Sequence, residues 1–290
     1  MSLAPLVDAG GDVLKLYDMG GIYWQLPPRK TPQEMKAHID ALKYLKIRPD
    51  DVFLFTYPKS GTHWIFQILN MLLKRDAELT YGNLKSSMLE FGMREMYESQ
   101  PPPRISMTHL LPDKLPDNLL TSGNKIIFFS RNPKDVAVSM YYHVVKTPSI
   151  EYKGTWENWL SLFMSEKCCF YNWFTVMNKW HDLKFTHPTA PILTIMYEDL
   201  LKNTVSEVKR IAHFLDVPTD DELIQRIIHK CGFDQMYTHD MTQNDRTVMT
   251  GKIGDWKNHF TVAQNERFDA WFEERIKYTN LKLTFEDDGS

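Results

Sequence analysis

The sequence predicts one α/β domain with a mostly parallel central sheet covered by helices on both faces. Short apolar runs of strand length alternate along the chain with longer segments whose apolar residues recur at helical spacing. Parallel strands need crossover connections, and helices in those connections cover the sheet. The chain has 290 residues, 43% of them hydrophobic. It can therefore bury a large core, and we expect a single domain over residues 1–290.

Four apolar runs mark the predicted strands, at residues 52–57, 105–107, 125–130 and 192–197. Helical patterns separate most of these runs, at residues 62–74, 135–146 and 156–179. In open parallel sheets, ligands bind outside the carboxyl ends of the strands. Tyr57, His109 and Arg131 all lie at or just past such an end, so we expect a functional site there.

Three further segments are predicted to be irregular. Residues 97–104 contain Pro101, Pro102 and Pro103, which exclude a helix and favour an exposed connector. Residues 237–252 are polar without an apolar period, which is typical of a long functional or mobile loop. Residues 286–290 are predicted to form a frayed acidic tail.

Composition excludes several classes of protein. A net charge of -3 and a pI near 6.4 argue against a general nucleic-acid binder. No apolar run approaches the ~18 residues that span a bilayer, and the first residues lack a signal-peptide pattern, so we expect no membrane partner and a cytoplasmic location. The three cysteines show no Cys-x-x-Cys spacing and are expected to be buried or bystander thiols.

The segment after the first strand, Pro58-Lys59-Ser60-Gly61-Thr62, is predicted to be an anion-binding loop. Pro58 ends the strand, Gly61 lets the backbone approach a ligand, and Thr62 can cap the following helix. The helix N-terminus offers free N–H groups to an anion, and Lys59 adds a counter-charge. The loop lacks the first glycine of a Walker A motif, and its lysine precedes Ser-Gly-Thr. An ordinary strand-to-helix turn is therefore the alternative.

A second strand end repeats this arrangement. The strand at residues 125–130 delivers Arg131 to the edge of the sheet, and Asn132-Pro133 turns the chain into the next helix. Ser139 lies one turn beyond Asp135 and can face back toward the strand end. A guanidinium matches phosphate through a planar fork, so Arg131 is a candidate for a second phosphate. The alternative is an ion pair with Asp135.

His109 follows the short strand at residues 105–107. A histidine at this position is a candidate general base, because its ordinary pKa lies near neutral pH. The alternative is a structural histidine. His63, inside the anion-binding loop, is a further candidate ligand contact, and the remaining histidines show no metal-ligand spacing.

A third informative segment, near the C-terminus, is Gly251-x-x-Gly254-Asp255-Trp256-Lys257. Together with two earlier segments it resembles, in order and spacing, the motifs of the cytosolic sulfotransferases. The earlier segments are Lys59-Ser60-Gly61-Thr62-His63-Trp64 and Arg131-Asn132-Pro133-Lys134-Asp135-Val136-Ala137-Val138-Ser139. The match covers nearly the whole chain, and three long motifs in the right order are far more specific than any one alone.

The resemblance implies a single domain related in shape to P-loop kinases. It implies transfer of a sulfuryl group from 3'-phosphoadenosine 5'-phosphosulfate to a hydroxyl or amine, without a metal. His109 would be the catalytic base, and Lys59 would stabilise charge on the leaving oxygen, as the chemistry of such transfers requires. The residues implied to bind the donor are Lys59, Ser60, Gly61, Thr62, His63, Trp64, Arg131, Ser139, Tyr197, Cys231, Phe233, Met236 and Gly251.

The chain departs from the family pattern at three places. His63 stands where the family usually has a second threonine, and Met107 stands where it has a lysine two residues before the catalytic histidine. The family's Arg-Lys-Gly segment, which binds the 3'-phosphate, appears here as Met249-Thr250-Gly251. We therefore expect weaker or differently arranged donor binding, with Arg246 or Lys252 as candidate replacements.

The resemblance also concerns partners. The segment from Lys257 to Glu266, with Thr261-Val262, resembles the family's dimerisation motif and predicts a homodimer; an ordinary helix start capped by Thr261 is the alternative. The acceptor is predicted to be a small apolar molecule with one hydroxyl, such as a phenol, an iodothyronine or a steroid-like alcohol. Candidate pocket residues, each of which core packing also explains, are Met88, Phe91, Met93, Met96, Tyr23, Trp24, Tyr142 and Phe163.

Two other function classes stay open at this point. One is a nucleotide-binding protein of the same fold with weak or lost transfer activity, which Met107, Met249 and Thr250 suggest. The other is a P-loop kinase of small molecules, against which the position of Lys59 and the missing Walker A glycine argue. Binding of adenosine 3',5'-bisphosphate separates the first class and the transferase from the kinase.

Overall fold

The computed structural model describes residues 5–19, 21–26, 30–80, 84–92, 94–165, 167, 169–232, 235–236, 251–276 and 283–286. Contacts within the chain group it into two compact units that alternate along the sequence. We call Ala41–Arg131 and Leu183–Arg246 the sheet unit, and Met1–Asp40, Asn132–Asp182 and Thr247–Ser290 the second unit. The expectation of a single domain over residues 1–290 stays a prediction.

Strands and helices alternate through most of the described chain. The strands are β1 (Leu6–Val7), β2 (Val13–Leu14), β3 (Leu16–Asp18), β4 (Tyr23–Gln25), β5 (Val52–Thr56), β6 (Ile105–Thr108), β7 (Lys125–Ser130) and β8 (Ile192–Met196). The helices are α1 (Pro32–Ala41), α2 (Thr62–Lys74), α3 (Leu84–Ser87), α4 (Arg94–Glu98), α5 (Pro133–Lys146), α6 (Trp156–Phe163), α7 (Trp173–Thr186), α8 (Tyr197–Lys202), α9 (Thr204–Phe214), α10 (Asp221–Lys230) and α11 (Val262–Ile276). Short 3₁₀ turns lie at Leu42–Tyr44, Pro112–Lys114 and Asp255–Asn258.

The sheet unit is built on four parallel strands in the order β6-β5-β7-β8. The register pairs Phe55 with Thr108 and Thr56 with Phe129, so the carboxyl ends of β5, β6 and β7 meet at one edge. Strand β5 is buried along its whole length, as expected for the interior of a parallel sheet. The predicted fold class, an α/β protein with a mostly parallel sheet flanked by helices, is confirmed.

The core of the sheet unit joins the strands to helices α2, α9 and α10 through buried apolar side chains. Leu54 and Ile127 of the sheet belong to one cluster with Leu69, Ile211 and Ile227 of these helices. Burying a side chain of this size stabilises the fold by roughly 1.5–3 kcal/mol. The residues at the carboxyl ends of the strands are therefore placed by a well-packed support.

The predicted bounds of helix α2 and strand β7 are confirmed at both ends. The other strand boundaries differ by one residue. Strand β5 ends before Tyr57, β6 continues to Thr108, and Tyr197, predicted to end the fourth strand, begins helix α8. Helix α5 begins at Pro133, two residues before the predicted start.

The prediction of one helical stretch over residues 156–179 is wrong. Helix α6 ends at Phe163 and α7 begins at Trp173. Between them, Phe170 has a φ of 64°, which a right-handed helix does not accommodate. Its backbone exchanges two hydrogen bonds with Tyr23, at 2.7 and 3.0 Å, so a tertiary pairing replaces the helix here.

The prediction of an exposed, non-helical connector at residues 97–104 is wrong at both of its ends. The three prolines are exposed, but Tyr97 belongs to α4 and is buried, as is Arg104. The Arg104 guanidinium donates to both carboxylate oxygens of Asp51, at 2.7 and 2.5 Å, and lies 4.1 Å from the centre of the Tyr97 ring. A buried ion pair between distant segments therefore buries Arg104, although the nearby prolines predict an exposed connector.

Residues 237–250 and 287–290, predicted to be loop and tail, lie outside the described residues.

The second unit places helix α5 against the segment before α11. Asn132 caps α5 by accepting the N–H of Asp135 at 2.9 Å. The Asp135 carboxylate accepts the N–H groups of Gly254 and Trp256, each at 3.0 Å. Lys134 is buried and pairs with Asp269 of α11 at 2.5 Å.

None of the helices in the described part of the chain combines the length and apolar composition that a membrane crossing requires.

Candidate active site

The loop between β5 and α2 has the backbone of a tight ligand-binding turn. Ser60 donates its N–H to the carbonyl of Tyr57 at 3.2 Å, which closes the turn. Lys59 has a φ of 67°, a left-handed conformation that is uncommon for residues with a side chain and that is found preferentially at functional sites. The Ser60 hydroxyl is buried and has no hydrogen-bond partner among the described residues. These features are typical of a ligand-binding loop.

Gly61 meets the conformational demand at the start of α2. Its φ is 100°, and a Cβ there would lie 3.2 Å from the ring of Tyr197. A Cβ would press on the aromatic ring, and the left-handed φ would strain any residue with a side chain, so glycine suits this position. The first α-helical hydrogen bond, from Ile65 to the carbonyl of Gly61, leaves the N–H groups of the first turn directed out of the helix end. The loop therefore presents a helix N-terminus of the kind that binds anions, and binding of an anion there stays a prediction.

His109 lies directly beside the strand that leads into this loop. Its Nδ1 atom is 2.9 Å from the carbonyl oxygen of Thr56 and 2.9 Å from the Thr56 hydroxyl. A carbonyl oxygen only accepts hydrogen bonds, so Nδ1 carries the proton. The other ring nitrogen, Nε2, then holds the lone pair that a general base needs.

The backbone of His109 is held from the other side by Glu90. The N–H of His109 donates to Glu90 Oε1 in a short hydrogen bond, and Oε2 has no partner among the residues that the structure describes. The carboxyl is fully buried, and burial raises the pKa of Glu90 to about 7 despite that hydrogen bond. Segment 88–90 lies next to β6, because Leu89 donates to the carbonyl of Met107 at 2.9 Å.

The electrostatic surroundings of His109 favour the neutral imidazole. Burial lowers its pKa to about 4, the hydrogen bond to Thr56 opposes that shift, and the nearby His63 and Lys59 add to it. The imidazole is therefore neutral at pH 7. The same interactions place His63 and Lys59 within electrostatic range of His109, so the structure brings these three predicted residues together.

Tyr197 joins the loop to Arg131. The guanidinium carbon of Arg131 lies 4.4 Å from the centre of the Tyr197 ring, which is a cation–π distance. The Trp64 ring meets the same tyrosine edge-on at 5.3 Å. Arg131 itself is buried, so its charge is oriented by these aromatic contacts rather than by bulk water. Four predicted donor residues, Gly61, Trp64, Arg131 and Tyr197, thus form one cluster.

The remaining predicted donor residues occupy different surroundings. Cys231 lies in the hydrophobic core with its Sγ atom 4.0 Å from the sulfur of Met71, and burial raises the pKa of its thiol to about 12. Met236 packs, partly buried, against the same core. Ser139 is buried on helix α5 of the second unit, and Gly251 of that unit has a φ of 65°. Phe233 lies outside the described residues, with Met249 and Thr250.

The candidate acceptor residues are mainly packing residues in the described structure. Met88 belongs to the hydrophobic core of the sheet unit and Phe91 packs against it, whereas Met96 is exposed. Trp24 is fully buried against Phe170 in the second unit. Met93 lies outside the described residues.

Sequence reasoning missed Thr56 and Glu90. The sequence predicts Thr56 only as a residue of the first strand. In the structure it is the last residue of β5, and its hydroxyl contacts His109. Glu90 stands alone as a charge among Met88, Leu89 and Phe91. A single carboxylate in an apolar run was the signal available, because a buried charge is costly unless it has a specific partner.

Comparisons with known proteins agree with the family resemblance. The family model described as "Sulfotransferase domain" matches residues 49–280. The chain is 38% identical to sulfotransferase 1B1 of Canis lupus familiaris, over 82% of this chain and 88% of that protein. It is 33% identical to sulfotransferase 1E1 of Homo sapiens, over 85% of this chain and 90% of that protein.

A solved structure agrees in fold as well. The crystal structure of mouse sulfotransferase SULT7A1 complexed with PAP superposes with a TM-score of 0.77 at 28% identity. The alignment covers 91% of this chain and 96% of that chain. The resemblance stated from three motifs is thus confirmed over most of the sequence, and the chain belongs to the sulfotransferase family.

Proposed function

We propose that this protein transfers a sulfuryl group from 3'-phosphoadenosine 5'-phosphosulfate to the hydroxyl or amine of a small apolar acceptor. The observation that carries the proposal is the junction of loop and base. His109 is hydrogen-bonded to Thr56, the residue from which the chain runs into the anion-binding loop. A proton acceptor and a cluster of anion-binding groups therefore meet at one edge of the sheet, as a transfer to a hydroxyl requires.

The donor fits the groups that the loop presents. The helix N-terminus, the buried Ser60 hydroxyl and the close approach that Gly61 permits form a cradle of N–H and O–H donors for an anion. We propose that Lys59, Ser60, Gly61, Thr62, His63 and Trp64 hold the phosphosulfate side, and that Arg131 and Tyr197 hold further parts of the donor. Roles for Ser139, Cys231, Phe233, Met236 and Gly251 stay predictions from the family resemblance. PAP, bound in the mouse relative, is the bisphosphate that such a donor leaves behind.

The chain's own groups account for the charges that move in the reaction. The donor supplies the sulfuryl group, and adenosine 3',5'-bisphosphate is the leaving group. His109 Nε2 takes the proton of the acceptor hydroxyl while the acceptor oxygen bonds to sulfur. Lys59 and the loop N–H groups stabilise the negative charge on the oxygen whose bond to sulfur breaks. Met107, a fully buried methionine, stands two residues before the base, where the family usually places a cation.

Transfer of labelled sulfate from the donor to a panel of phenols, iodothyronines and steroid alcohols tests the proposal. We expect product with at least one of these acceptors, and His109→Ala is expected to lower turnover by at least about 10²-fold while the bisphosphate dissociation constant stays nearly unchanged. His213→Ala, at an exposed position of α9, is the matched control. Bisphosphate binding without transfer would favour the alternative, a nucleotide-binding protein of this fold. No binding at millimolar ligand contradicts both.

We also propose a homodimer through the segment from Lys257 to Glu266. Val262, at the start of α11, is 76% exposed, so its apolar side chain is accessible to a small interface. Thr261 and Gln264 cap the helix reciprocally, so Val262 is presented on an ordered turn. Val262→Glu is expected to shift the sedimentation coefficient to that of a monomer, whereas Val205→Glu, at another exposed valine, leaves it unchanged.

The cytoplasmic location stays a prediction that cell fractionation tests.

A further inference from the structure

Three hydrogen-bonded groups connect the anion-binding loop to the base. The hydroxyls of Thr62 and Thr56 are 2.8 Å apart, and the Thr56 hydroxyl is 2.9 Å from His109 Nδ1. Both threonines are buried, at 8% and 3% exposure. Water therefore does not compete strongly for these bonds, and the chain of bonds is a stable part of the site.

The chain of bonds has a definite direction in the tautomer that the structure favours. Nδ1 carries the proton because it also faces the carbonyl of Thr56 at 2.9 Å. The Thr56 hydroxyl then accepts from Nδ1 and donates its own proton to Thr62. The Thr62 hydroxyl, at the first residue of α2, is left with a proton that points away from Thr56.

The opposite direction also pairs both hydroxyls, but it leaves the Thr56 carbonyl facing the lone pair of Nδ1 and is useless for catalysis. If Thr62 donates to Thr56, then Thr56 donates to Nδ1, and the ring proton moves to Nε2. An Nε2 that carries a proton cannot take one from an acceptor hydroxyl. The two directions differ in where the last proton of Thr62 lies, and that proton is beside the anion-binding loop.

We propose that Thr56 is a positioning residue through which an anion in the loop strengthens the preference of His109 for the reactive tautomer, which the Thr56 carbonyl already favours. The anion attracts the Thr62 proton, so Thr62 accepts from Thr56, Thr56 accepts from Nδ1, and Nε2 stays unprotonated. Donor binding thereby readies the base for the acceptor. This inference rests on the proposed function, because it takes the loop to be the donor site.

The test combines nitrogen-15 NMR of histidine-labelled protein with turnover, using adenosine 3',5'-bisphosphate as the probe. His109→Asn identifies the His109 signals. In the wild-type protein, saturation with the bisphosphate is expected to move the Nε2 shift toward the value of an unprotonated nitrogen. In Thr56→Val, which keeps the carbonyl and the branched shape, the bisphosphate is expected to bind within about threefold of wild type but to leave the tautomer ratio unchanged.

Turnover gives the second readout. Thr56→Val is expected to lower kcat about tenfold, which is part of the ~10²–10⁴-fold that a general base contributes, without a matching change in KM. Thr56→Ser is expected to restore kcat, and Thr56→Ala is not. Because these two variants leave the same space and differ only in the hydroxyl, their comparison holds even if the valine variant folds poorly. Thr194→Val, at a strand hydroxyl without a partner in the described residues, is the matched control and leaves kcat unchanged.

The possible outcomes separate the relay from the proposed function. If the wild-type protein transfers sulfate and Thr56→Val shows wild-type kcat or a wild-type ligand response, the relay is wrong and the proposed function stands. If the wild-type protein binds no bisphosphate, both are wrong. Equal kcat in Thr56→Ser and Thr56→Ala also overturns the relay, because the hydroxyl then has no role.

Discussion

Glu90 accepts the backbone N–H of His109 while its carboxyl is completely buried. The hydrogen bond fixes the chain directly after β6, and the bond from Nδ1 to Thr56 fixes the imidazole. His109, the proposed base, is therefore held at two points by residues of neighbouring segments. Such double anchorage limits the motion of a reacting group, which is what efficient proton transfer requires.

Replacing Glu90 by Gln is expected to stabilise the protein at alkaline pH. The folded pKa of Glu90, about 7, lies above the ordinary value of 4.5, so the wild-type protein loses stability as pH rises from 4.5 to 7. This loss reaches about 3 kcal/mol above pH 7, and a neutral glutamine avoids it while its Oε1 still accepts from His109.

Urea unfolding at pH 4.5 and pH 8 measures this effect. The free energy of unfolding of Glu90→Gln relative to wild type is expected to be higher at pH 8 than at pH 4.5. Glu273→Gln, at an exposed position of α11, is the control and shows no such difference. A pH-independent effect of Glu90→Gln contradicts the prediction.

The activity of the free enzyme is expected to persist to unusually low pH. The pKa of His109 is lowered to about 4 by burial, and the nearby His63 and Lys59 act in the same direction. The imidazole of His109 therefore stays unprotonated well below pH 6.5. In a pH profile of kcat/KM, the acid limb assigned to His109 lies closer to pH 4 than to pH 6.5. A limb centred at 6.5 that disappears in the residual activity of His109→Gln contradicts this.

The buried pair of Asp51 and Arg104 is expected to be essential for stability but to have no effect on kcat. Asp51→Ala leaves the Arg104 guanidinium buried without its partner, which costs about 3–5 kcal/mol. Asp50→Ala, at the exposed neighbouring position, is the control and costs under about 0.5 kcal/mol. Denaturant unfolding measures both, and kcat per folded molecule is expected to stay at the wild-type value. A stable Asp51→Ala protein means that the pair contributes little.

Asp135 is expected to affect donor binding through the segment that follows Gly251. Its carboxylate accepts two N–H groups of the segment that follows Gly251, so Asp135→Ala releases Gly254 and Trp256. If Gly251 contributes to the donor site as the family resemblance implies, the bisphosphate dissociation constant rises about tenfold, which corresponds to about 1.4 kcal/mol. Asp255→Ala removes a neighbouring carboxylate without these bonds and serves as the control. An unchanged bisphosphate dissociation constant in Asp135→Ala would mean that the segment after Gly251 does not contribute to donor binding.

The parts of the fold that the sequence predicted well are those that local chemistry determines. Helix α2 has its predicted bounds because Pro58 ends the strand, Gly61 supplies a left-handed residue and an apolar face follows. The end of α6 was missed because the pairing of Phe170 with Tyr23 is a tertiary contact between segments almost 150 residues apart, which has no local signature. The burial of Arg104 was missed for the same reason, since Asp51 lies far away in the sequence.

The site divides in a similar way. His109, Lys59, Gly61 and Arg131 were found from strand ends and motifs, because their positions follow from sheet topology. The contributions of Thr56 and Glu90 depend on which side chain faces His109 across a strand pair. Register and side-chain direction decide this, and neither can be read from one strand alone.

The length of strand β6 determines which face of the sheet His109 lies on. Phe55 is aligned with Thr108, so the next position on each strand brings Thr56 beside His109. Inserting or deleting one residue within β6 turns the imidazole to the opposite face of the sheet, because side chains alternate along a strand. Changes in chain length can be absorbed after His109, in the turns that lead to β7, but not before it. The length of a four-residue strand is therefore as much a part of the chemistry as the histidine that follows it.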